Sequence, residues 1–332
     1  MRSMERVSSA CETCEATKQQ RKGQFSDIRP VTLVDNRNIT DPYINLAIEE
    51  YLVREVDCSE QDLLLLYINE PCIVLGKNQS IYKEVNFDFL REPKLKLCRR
   101  ISGGGTVYHD LGNLSFSIIS KFADEKINNY RWFNKPVVEA LQQIGVNAVM
   151  DERNNILCNG KKISGNAQFT NRKNIISHGT LLFDADLNTL RACLKPNDFT
   201  VETKAVASVS SSVMNLKGVA QGIATTTELK DYLQKALKAD KVFSFTDEQW
   251  NTIEKSAEEK FKSFEWIYGR SPFTSIKKEG FTIDVEDGTI KDIQPQTLNF
   301  KLPALKGTRY AYPEIKKALE NSNASGLSTT IF

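Results

Sequence analysis

Hydrophobic positions along this chain follow two different periods. Short apolar runs at residues 63–68 and 72–76, separated by Glu70-Pro71, are typical of buried strands. Residues 132–145 instead repeat apolar side chains at helical spacing and end at Gly145, which predicts an amphipathic helix. The pattern therefore predicts an α+β fold with mixed or antiparallel sheets flanked by helices. Further strands are expected at 31–35, 95–100, 107–120, 154–158, 162–169 and 174–184, and further helices at 43–56, 187–194, 226–240 and 246–262.

The C-terminal part carries a pattern of its own. Strands near 281–285 and 289–293, turned at Asp287-Gly288, precede a helix that opens at Tyr312-Pro313. At the other end, the first residues are polar and lack hydrophobic periodicity. A chain of 332 residues exceeds one average domain. We therefore predict a disordered extension at 1–28, a main domain at 29–262 and a small α+β accessory domain at 263–332.

Charge and composition exclude several classes of partner. Lysine and arginine number 44 against 42 acidic residues, so the net charge of +2 does not favour binding to nucleic acid or to a membrane surface. No apolar run approaches the ~20 residues of a membrane span. Any anion must therefore be recognised locally.

Cysteines and the N-terminal residues indicate the compartment. The seven cysteines are odd in number and scattered, unlike a secreted disulfide framework, so a reducing compartment is expected. The first residues are basic but also contain Glu5, Glu12 and Glu15, whereas organellar presequences are poor in acids. We expect a cytoplasmic protein, with the mitochondrial matrix as the alternative.

The most informative stretch is residues 99–113, Arg-Arg-Ile-Ser-Gly-Gly-Gly-Thr-Val-Tyr-His-Asp-Leu-Gly-Asn. Three adjacent glycines cost backbone entropy, so they indicate positive φ angles or a ligand that lies against the main chain. The preceding arginines could pair with phosphate or carboxylate oxygens. A Walker loop does not fit, because Thr106-Val107 follows the last glycine, and a dinucleotide fingerprint fails because residues 106–108 favour a strand.

A second candidate lies in a predicted hairpin. Asn159-Gly160 is a strong turn signal, and alternation sends Lys161 and Lys162 to opposite faces, so only one can point into a site. His109 and His178 are the only two histidines. Two isolated histidines do not make a metal site, and we expect them to form hydrogen bonds. We assign no metal ligands from the sequence.

Residues 100–113 resemble the signature of the lipoate-protein ligase A family. Residues 153–156, 161–167 and 178–182 match further motifs of that family in the expected order, and the resemblance extends from about residue 31 to the C-terminus. It implies a biotin/lipoate ligase-like catalytic domain at 29–262. It also implies that the strands at 63–76 line a slot for an acyl chain.

The resemblance implies ATP-dependent activation of lipoate to lipoyl-AMP, followed by lipoyl transfer to a lysine of an acceptor protein. ATP and Mg²⁺ would be required. The implied acceptors are lipoyl domains of 2-oxo acid dehydrogenase E2 subunits and the glycine cleavage H protein, with no nucleic acid or membrane partner and a monomeric enzyme. Lys162 would be the catalytic residue, holding phosphate and acyl oxygens. The implied nucleotide-binding residues are Arg100, Gly103, Gly104, Gly105, Thr106, Val107, Tyr108, His109, Asn113, Asn154, Lys162, His178, Gly179 and Thr180.

Three residues depart from the family pattern. Asn155 replaces an aspartate, Ser177 a histidine and Ser212 an arginine. Two alternatives therefore stay open: a lipoyl or octanoyl transferase that uses a preformed activated donor, and a degenerate, non-catalytic binder of lipoyl-AMP or nucleotide. The acids Glu49 and Glu50 in the first helix are interpreted as exposed residues without a chemical role.

Overall fold

The computed structural model describes residues 31–91, 95–295, 305–322 and 324–332. The predicted extension at 1–28, with Cys11 and Cys14, lies outside the described residues. The strands, numbered in chain order, are β1 Val31–Val34, β2 Asp62–Ile68, β3 Cys72–Leu75, β4 Lys96–Arg99, β5 Val107–His109, β6 Asn113–Lys121, β7 Ala148–Met150, β8 Ile156–Cys158, β9 Lys161–Ser164, β10 Asn166–Thr170, β11 Asn174–Leu182, β12 Thr200–Thr203, β13 Lys241–Phe243, β14 Thr274–Lys278, β15 Phe281–Glu286 and β16 Thr289–Pro295.

Helices cover the sheets and connect them. Asp41 caps the first helix by accepting hydrogen bonds from the backbone N–H groups of Tyr43 and Ile44, with Pro42 at the first helical position. None of the described helices is long and apolar enough to cross a membrane. The helices are α1 Pro42–Glu55, α2 Ile81–Glu84, α3 Phe87–Arg91, α4 Tyr130–Gln143, α5 Leu187–Cys193, α6 Thr226–Ala236, α7 Asp247–Ser256, α8 Phe264–Ile267, α9 Tyr312–Asn321 and α10 Ser328–Ile331.

A six-stranded mixed sheet forms the centre, in the order β10-β11-β6-β2-β1-β13. Its first four strands are antiparallel neighbours, whereas β1 runs parallel to both β2 and β13. Strand β2 is buried on both faces: Leu64 and Leu66 pack towards α4 and α6, and Leu63 and Leu65 towards α1 and α7. The predicted α+β architecture with mixed sheets is confirmed.

Three smaller sheets surround the central one, in the orders β4-β3-β5, β7-β8-β9 and β12-β14-β15-β16. The last of these contains the predicted C-terminal hairpin. It also takes β12 from the preceding part of the chain, since Val201 pairs with Ile276. The division at residue 263 stays a prediction, but the sheet on its C-terminal side recruits one strand from the other side.

Two predicted strands are interrupted in the structure. The stretch 107–120 breaks at Asp110, whose side chain and carbonyl accept hydrogen bonds from the N–H groups of Gly112 and Asn113. The break sends β5 and β6 into different sheets. Similarly, 162–169 divides at Gly165, whose carbonyl accepts from Thr180 N. Apolar alternation alone did not predict these two interruptions.

Arg99 joins the strands beside the glycine loop to the C-terminal region. Its side chain is fully buried and has no carboxylate partner in the described chain. The guanidinium donates to the carbonyls of Gly76 (2.9 Å), Gln79 (2.7 Å) and Ile267 (2.6 Å). Trp266 Nε1 donates back to Arg99 O at 2.7 Å. This one side chain therefore satisfies acceptors in both parts of the fold.

We expect Arg99→Leu to lower the free energy of unfolding by at least about 3 kcal/mol, because several buried carbonyls lose their donor. Urea denaturation followed by circular dichroism measures the change. Lys255→Ala is the matched control, since that lysine is exposed and its helical ion pair with Glu259 is worth about 0.5 kcal/mol or less. Equal effects of the two substitutions would contradict the assignment.

Candidate functional site

The glycine loop, residues 101–106, wraps around the side chain of Arg100. Nη2 of this arginine donates to the carbonyl oxygens of Gly103 (2.6 Å) and Gly105 (2.8 Å), and Nη1 to that of Val74 (3.2 Å). Gly104 has a φ of +84°, and a Cβ there would lie 3.0 Å from Arg100 Nη2. The sequence suggested that Arg100 pairs with a ligand anion. Instead, most of its donors hold the loop in shape, which requires glycine at position 104.

A connector, residues 204–213, lies over this loop. Ser208 Oγ accepts a hydrogen bond from Thr106 N (2.9 Å) and donates one to Glu84 Oε2. Gln79 joins the two segments, since its Oε1 accepts from Thr106 Oγ1 (2.8 Å) while its Nε2 donates to Val206 O (3.3 Å). The mouth of the site is therefore built from two distant parts of the sequence.

Lys162 lies on β9, after the predicted turn at Asn159 and Gly160, both of which have positive φ angles. Lys161 is exposed and Lys162 is half-buried, so the two side chains differ as alternation requires. The backbone N–H of Lys162 donates to Ser212 O at 2.8 Å, which attaches the connector to the strand. Burial lowers the pKa of Lys162, although Asp151 opposes the shift.

A buried carboxylate, Glu49 of α1, lies behind the glycine loop. It accepts hydrogen bonds from Tyr67 Oη (3.0 Å), Ser117 Oγ (2.5 Å) and His178 Nδ1 (2.9 Å to Oε2). His178 Nε2 lies 2.7 Å from the hydroxyl of Ser102, which links this network to the loop. Burial by itself would raise the pKa of Glu49, but His178 and the two hydroxyls outweigh it and lower the pKa overall.

These elements enclose a cavity of about 330 Å³, within the size range of small-ligand sites. Apolar side chains of Leu46, Val74 and Ala167 form part of its wall. A second, more open cavity lies beside it. The wall shared by the two cavities consists of Arg153, Asn155, Lys162 and Ser211.

Ten of the residues predicted from sequence meet around the first cavity: Arg100, Gly104, Gly105, Thr106, Val107, His109, Lys162, His178, Gly179 and Thr180. Four others do not belong to its described walls. Tyr108 points to the opposite face of β5 and packs with Ile73 and Leu75, as strand alternation requires. Asn113 is fully buried next to Ser115, and Gly103 turns its carbonyl to Arg100. Asn154 has a φ of 63° and contributes its carbonyl to Asn166, so its neighbours Arg153 and Asn155 reach the cavity.

The sequence interpretation missed three residues. Glu49 was taken for an exposed acid, yet it is completely buried. Its spacing from Leu46 and Val53 places it on the apolar face of α1, and this signal was present in the sequence. Gln79 and Ser208 gave no comparable signal, because their roles depend on contacts between segments more than a hundred residues apart.

We expect Glu49→Gln to lower the free energy of unfolding at neutral pH by about 1–3 kcal/mol, because three buried donors lose a charged acceptor. A carboxyl group with a lowered pKa stabilises the fold above its ordinary value of 4.5 and loses that contribution as the pH falls through the folded-state pKa. The difference between wild type and variant should therefore shrink below about pH 4.5. Urea unfolding at several pH values tests this, with the exposed Glu60→Gln as the control. A difference independent of pH would contradict the assignment.

Comparison with known proteins identifies the family of this chain. Residues 41–238 match the family model described as the lipoyl protein ligase A/B catalytic domain. Lipoate-protein ligase LplJ of Bacillus subtilis is 42% identical over 245 residues, which are 72% of this chain and 74% of that protein.

Solved structures share the fold. A lipoate-protein ligase A bound with ATP superposes with a TM-score of 0.60 at 24% identity, covering 73% of this chain and 98% of that one. The bipartite lipoate protein ligase of Thermoplasma acidophilum, described with its E2 lipoyl domain, has the same TM-score and identity and covers 76% and 98%. With a catalytic-domain match over more than half of its residues and a named ligase that is 42% identical, the chain belongs to the lipoate-protein ligase A family and is an enzyme that ligates lipoate to proteins.

Proposed function

We propose that lipoate and ATP meet at Lys162: the lipoyl chain lies in the first cavity, and the nucleotide extends from the glycine loop that lines this cavity across the shared wall into the second one. The position of Lys162 between the two cavities carries this proposal. One side offers apolar walls suited to an acyl chain. The other is bounded by Asp151, Arg153 and connector hydroxyls, which suit a nucleotide.

The first step joins the two substrates. The lipoate carboxylate attacks the α-phosphorus of ATP, an oxygen–phosphorus bond forms and pyrophosphate leaves. Such a reaction depends on in-line positioning and charge neutralisation more than on a protein nucleophile. Lys162 supplies a positive charge where the two reactants meet, and the shape that Arg100 imposes on the glycine loop fixes the backbone around them.

The second step transfers the acyl group. The amine of an acceptor lysine attacks the carbonyl carbon of lipoyl-AMP, an amide forms, and AMP leaves with its bonding electron pair while the amine loses a proton. Negative charge develops on the carbonyl oxygen. Lys162 is placed to stabilise that charge by electrostatic interaction.

Mg²⁺ would be held mainly by the nucleotide phosphates. The described residues contain no group of three or more acidic, histidine or cysteine ligands that could hold a metal alone. Magnesium commonly binds through one or two carboxylates plus substrate phosphates, which fits Asp151 and Glu152 of the second cavity. When bound, the ion supplies charge neutralisation to the phosphates.

Lipoyl domains are the proposed acceptors, since the T. acidophilum ligase is described with its E2 lipoyl domain. We extend this to lipoyl domains of 2-oxo acid dehydrogenase E2 subunits and to the glycine cleavage H protein. A monomer acting in the cytoplasm is the simplest form of this enzyme. The acceptor assignments follow from the family pattern of residues 100–113, 153–156 and 161–167, and the cytoplasmic assignment follows from the scattered cysteines and the acidic residues near the N-terminus.

A transferase that receives preformed lipoyl-AMP is the second candidate. Its support is the uncharged side chains at two positions of the second cavity, Asn155 and Ser212. The side-chain amide of Asn155 donates a hydrogen bond to Asp151 Oδ2 at 2.8 Å. The family pattern has an aspartate at position 155, so this chain has one carboxylate fewer in the second cavity. Ser177 is buried, and its hydroxyl has no hydrogen-bond partner among the described residues. With fewer charged side chains in the second cavity, the protein would activate lipoate with ATP less well. Transfer from preformed lipoyl-AMP would be affected less.

We expect Lys162→Ala to lower the rate of lipoate activation about 10²- to 10³-fold, as is typical when one stabilising donor is removed. Lys161→Ala is the matched control, because that neighbouring lysine is exposed and lies outside the described cavity walls. It should retain nearly the full rate. An unchanged rate in Lys162→Ala would exclude this residue from the reaction.

We expect the intact protein to exchange labelled pyrophosphate into ATP in a lipoate-dependent manner, with no acceptor present. If a folded protein shows no exchange but lipoylates a lipoyl domain from synthetic lipoyl-AMP, it is a transferase. If it does neither, it is a binding protein. The second and third results would both contradict the proposed adenylation.

A further inference from the structure

Two buried polar atoms on the walls of the first cavity have no hydrogen-bond partner among the described residues: Asn166 Oδ1, which can only accept, and Nε2 of His109. His109 is 4% exposed and lies on β5, where it pairs with Cys72 while Val107 pairs with Val74. Residues 107 and 109 share a face of the strand, and Val107, Val74 and His109 all line the cavity. The Nε2 atom of His109 is buried and has no hydrogen-bond partner among the described residues.

A chain of three amides determines which nitrogen of His109 carries the proton. Asn36 Nδ2 donates to Asn45 Oδ1 (3.1 Å), Asn45 Nδ2 to Asn69 Oδ1 (2.9 Å), and Asn69 Nδ2 lies 3.0 Å from His109 Nδ1. Both Asn36 and Asn45 also donate to the carbonyl of Ile39, which can only accept. That carbonyl fixes the orientation of these two amides, and Asn45 in turn orients Asn69.

His109 Nδ1 must therefore accept the hydrogen bond from Asn69, and the proton of the neutral ring resides on Nε2. Burial, together with the charge of Arg100, lowers the pKa of His109 to about 3. The ring stays neutral at physiological pH, so Nε2–H is a permanent donor. The amide chain, which extends from the start of α1, thus presents one buried N–H to the cavity.

Neighbouring polar groups at this part of the cavity are already engaged. Tyr67 Oη donates to Glu49, and both ring nitrogens of His178 are hydrogen-bonded, one to Glu49 and the other to Ser102.

His109 lines the first cavity only, whereas Lys162 also borders the second one. An acyl chain anchored at Lys162 would therefore extend its far end away from the nucleotide and into the part of the cavity that His109 borders.

We propose that His109 Nε2–H donates a hydrogen bond to a ring sulfur of lipoate and so selects lipoate over acids that lack sulfur. This inference rests on the proposed orientation of lipoate. The dithiolane ring is the only part of lipoate beyond its carboxylate that carries an acceptor, and sulfur is a weak one. Octanoate ends in a methyl group and leaves the donor unpaired. A buried donor without a partner weakens a complex by about fivefold or more.

Cyclopentylpentanoate is the sharpest probe, because it has the shape of lipoate with both sulfurs replaced by methylene groups. Calorimetry gives the dissociation constants of lipoate, this analogue and octanoate for the intact protein. Pyrophosphate exchange gives kcat/KM for each acid. We expect lipoate to be preferred over the analogue by about fivefold or more. An equal affinity for the two rings would overturn the proposal without any variant.

Two substitutions and a control test the residue. His109→Phe keeps a planar ring without the donor and should remove most of the preference, whereas His109→Gln keeps an N–H donor and should retain it. Val107→Ala changes the neighbouring wall without changing a polar group, so it should affect lipoate and the analogue to a similar extent. A preference that is unchanged in His109→Phe would overturn the assignment.

The same data separate this inference from the proposed function. If lipoate binds but supports no exchange, adenylation fails while the dissociation constants still decide the role of His109. If His109→Phe weakens all three acids equally, the histidine contacts the common carboxylate or chain, and the inference is wrong. If none of the acids binds to the intact protein, both the proposed orientation and the sulfur contact are overturned.

Discussion

Two adjacent arginines, buried with carbonyl groups as their main partners, hold the site together. A guanidinium has five N–H donors in a fixed plane, and a set of backbone carbonyls can satisfy it when their positions are rigid. Arg99 imposes this requirement on the segments around Gly76 and Ile267, and Arg100 imposes it on the glycine loop. The loop is therefore shaped from within before any ligand arrives.

The site itself is built on a second buried network. Glu49, His178 and Ser102 connect the first helix, the central sheet and the glycine loop through hydrogen bonds of 2.7–2.9 Å. Such a network orders every group it includes, and it leaves few polar atoms free to meet a substrate. Pre-organisation of this kind reduces the entropy lost when the substrates are brought together.

The sequence predicted most of the fold because the apolar runs have clear periods and the hairpin turn at Asn159-Gly160 is unambiguous. Strand alternation predicted that only one of Lys161 and Lys162 faces the site, the family resemblance selected Lys162, and composition predicted the glycine loop. The sequence did not predict that Arg100 would bind the loop carbonyls, since the same residues also suit an external anion. Glu49 was misinterpreted because an acid beside another acid on a helix is usually exposed. Contacts such as Gln79 with Ser208 depend on tertiary packing and leave no local pattern.

The pairing of β12 with β14 connects the C-terminal sheet to the segment that precedes the connector. Strand Thr200–Thr203 immediately precedes the connector, which is held at Ser208 and again at Lys162. The connector, residues 204–213, therefore joins the C-terminal sheet directly to the cavity mouth. Cutting the chain at residue 262 would strip β12 of its neighbour and take Ile267 from Arg99 at the same time. In this chain the C-terminal region therefore supports the frame of the site through β14 and Ile267.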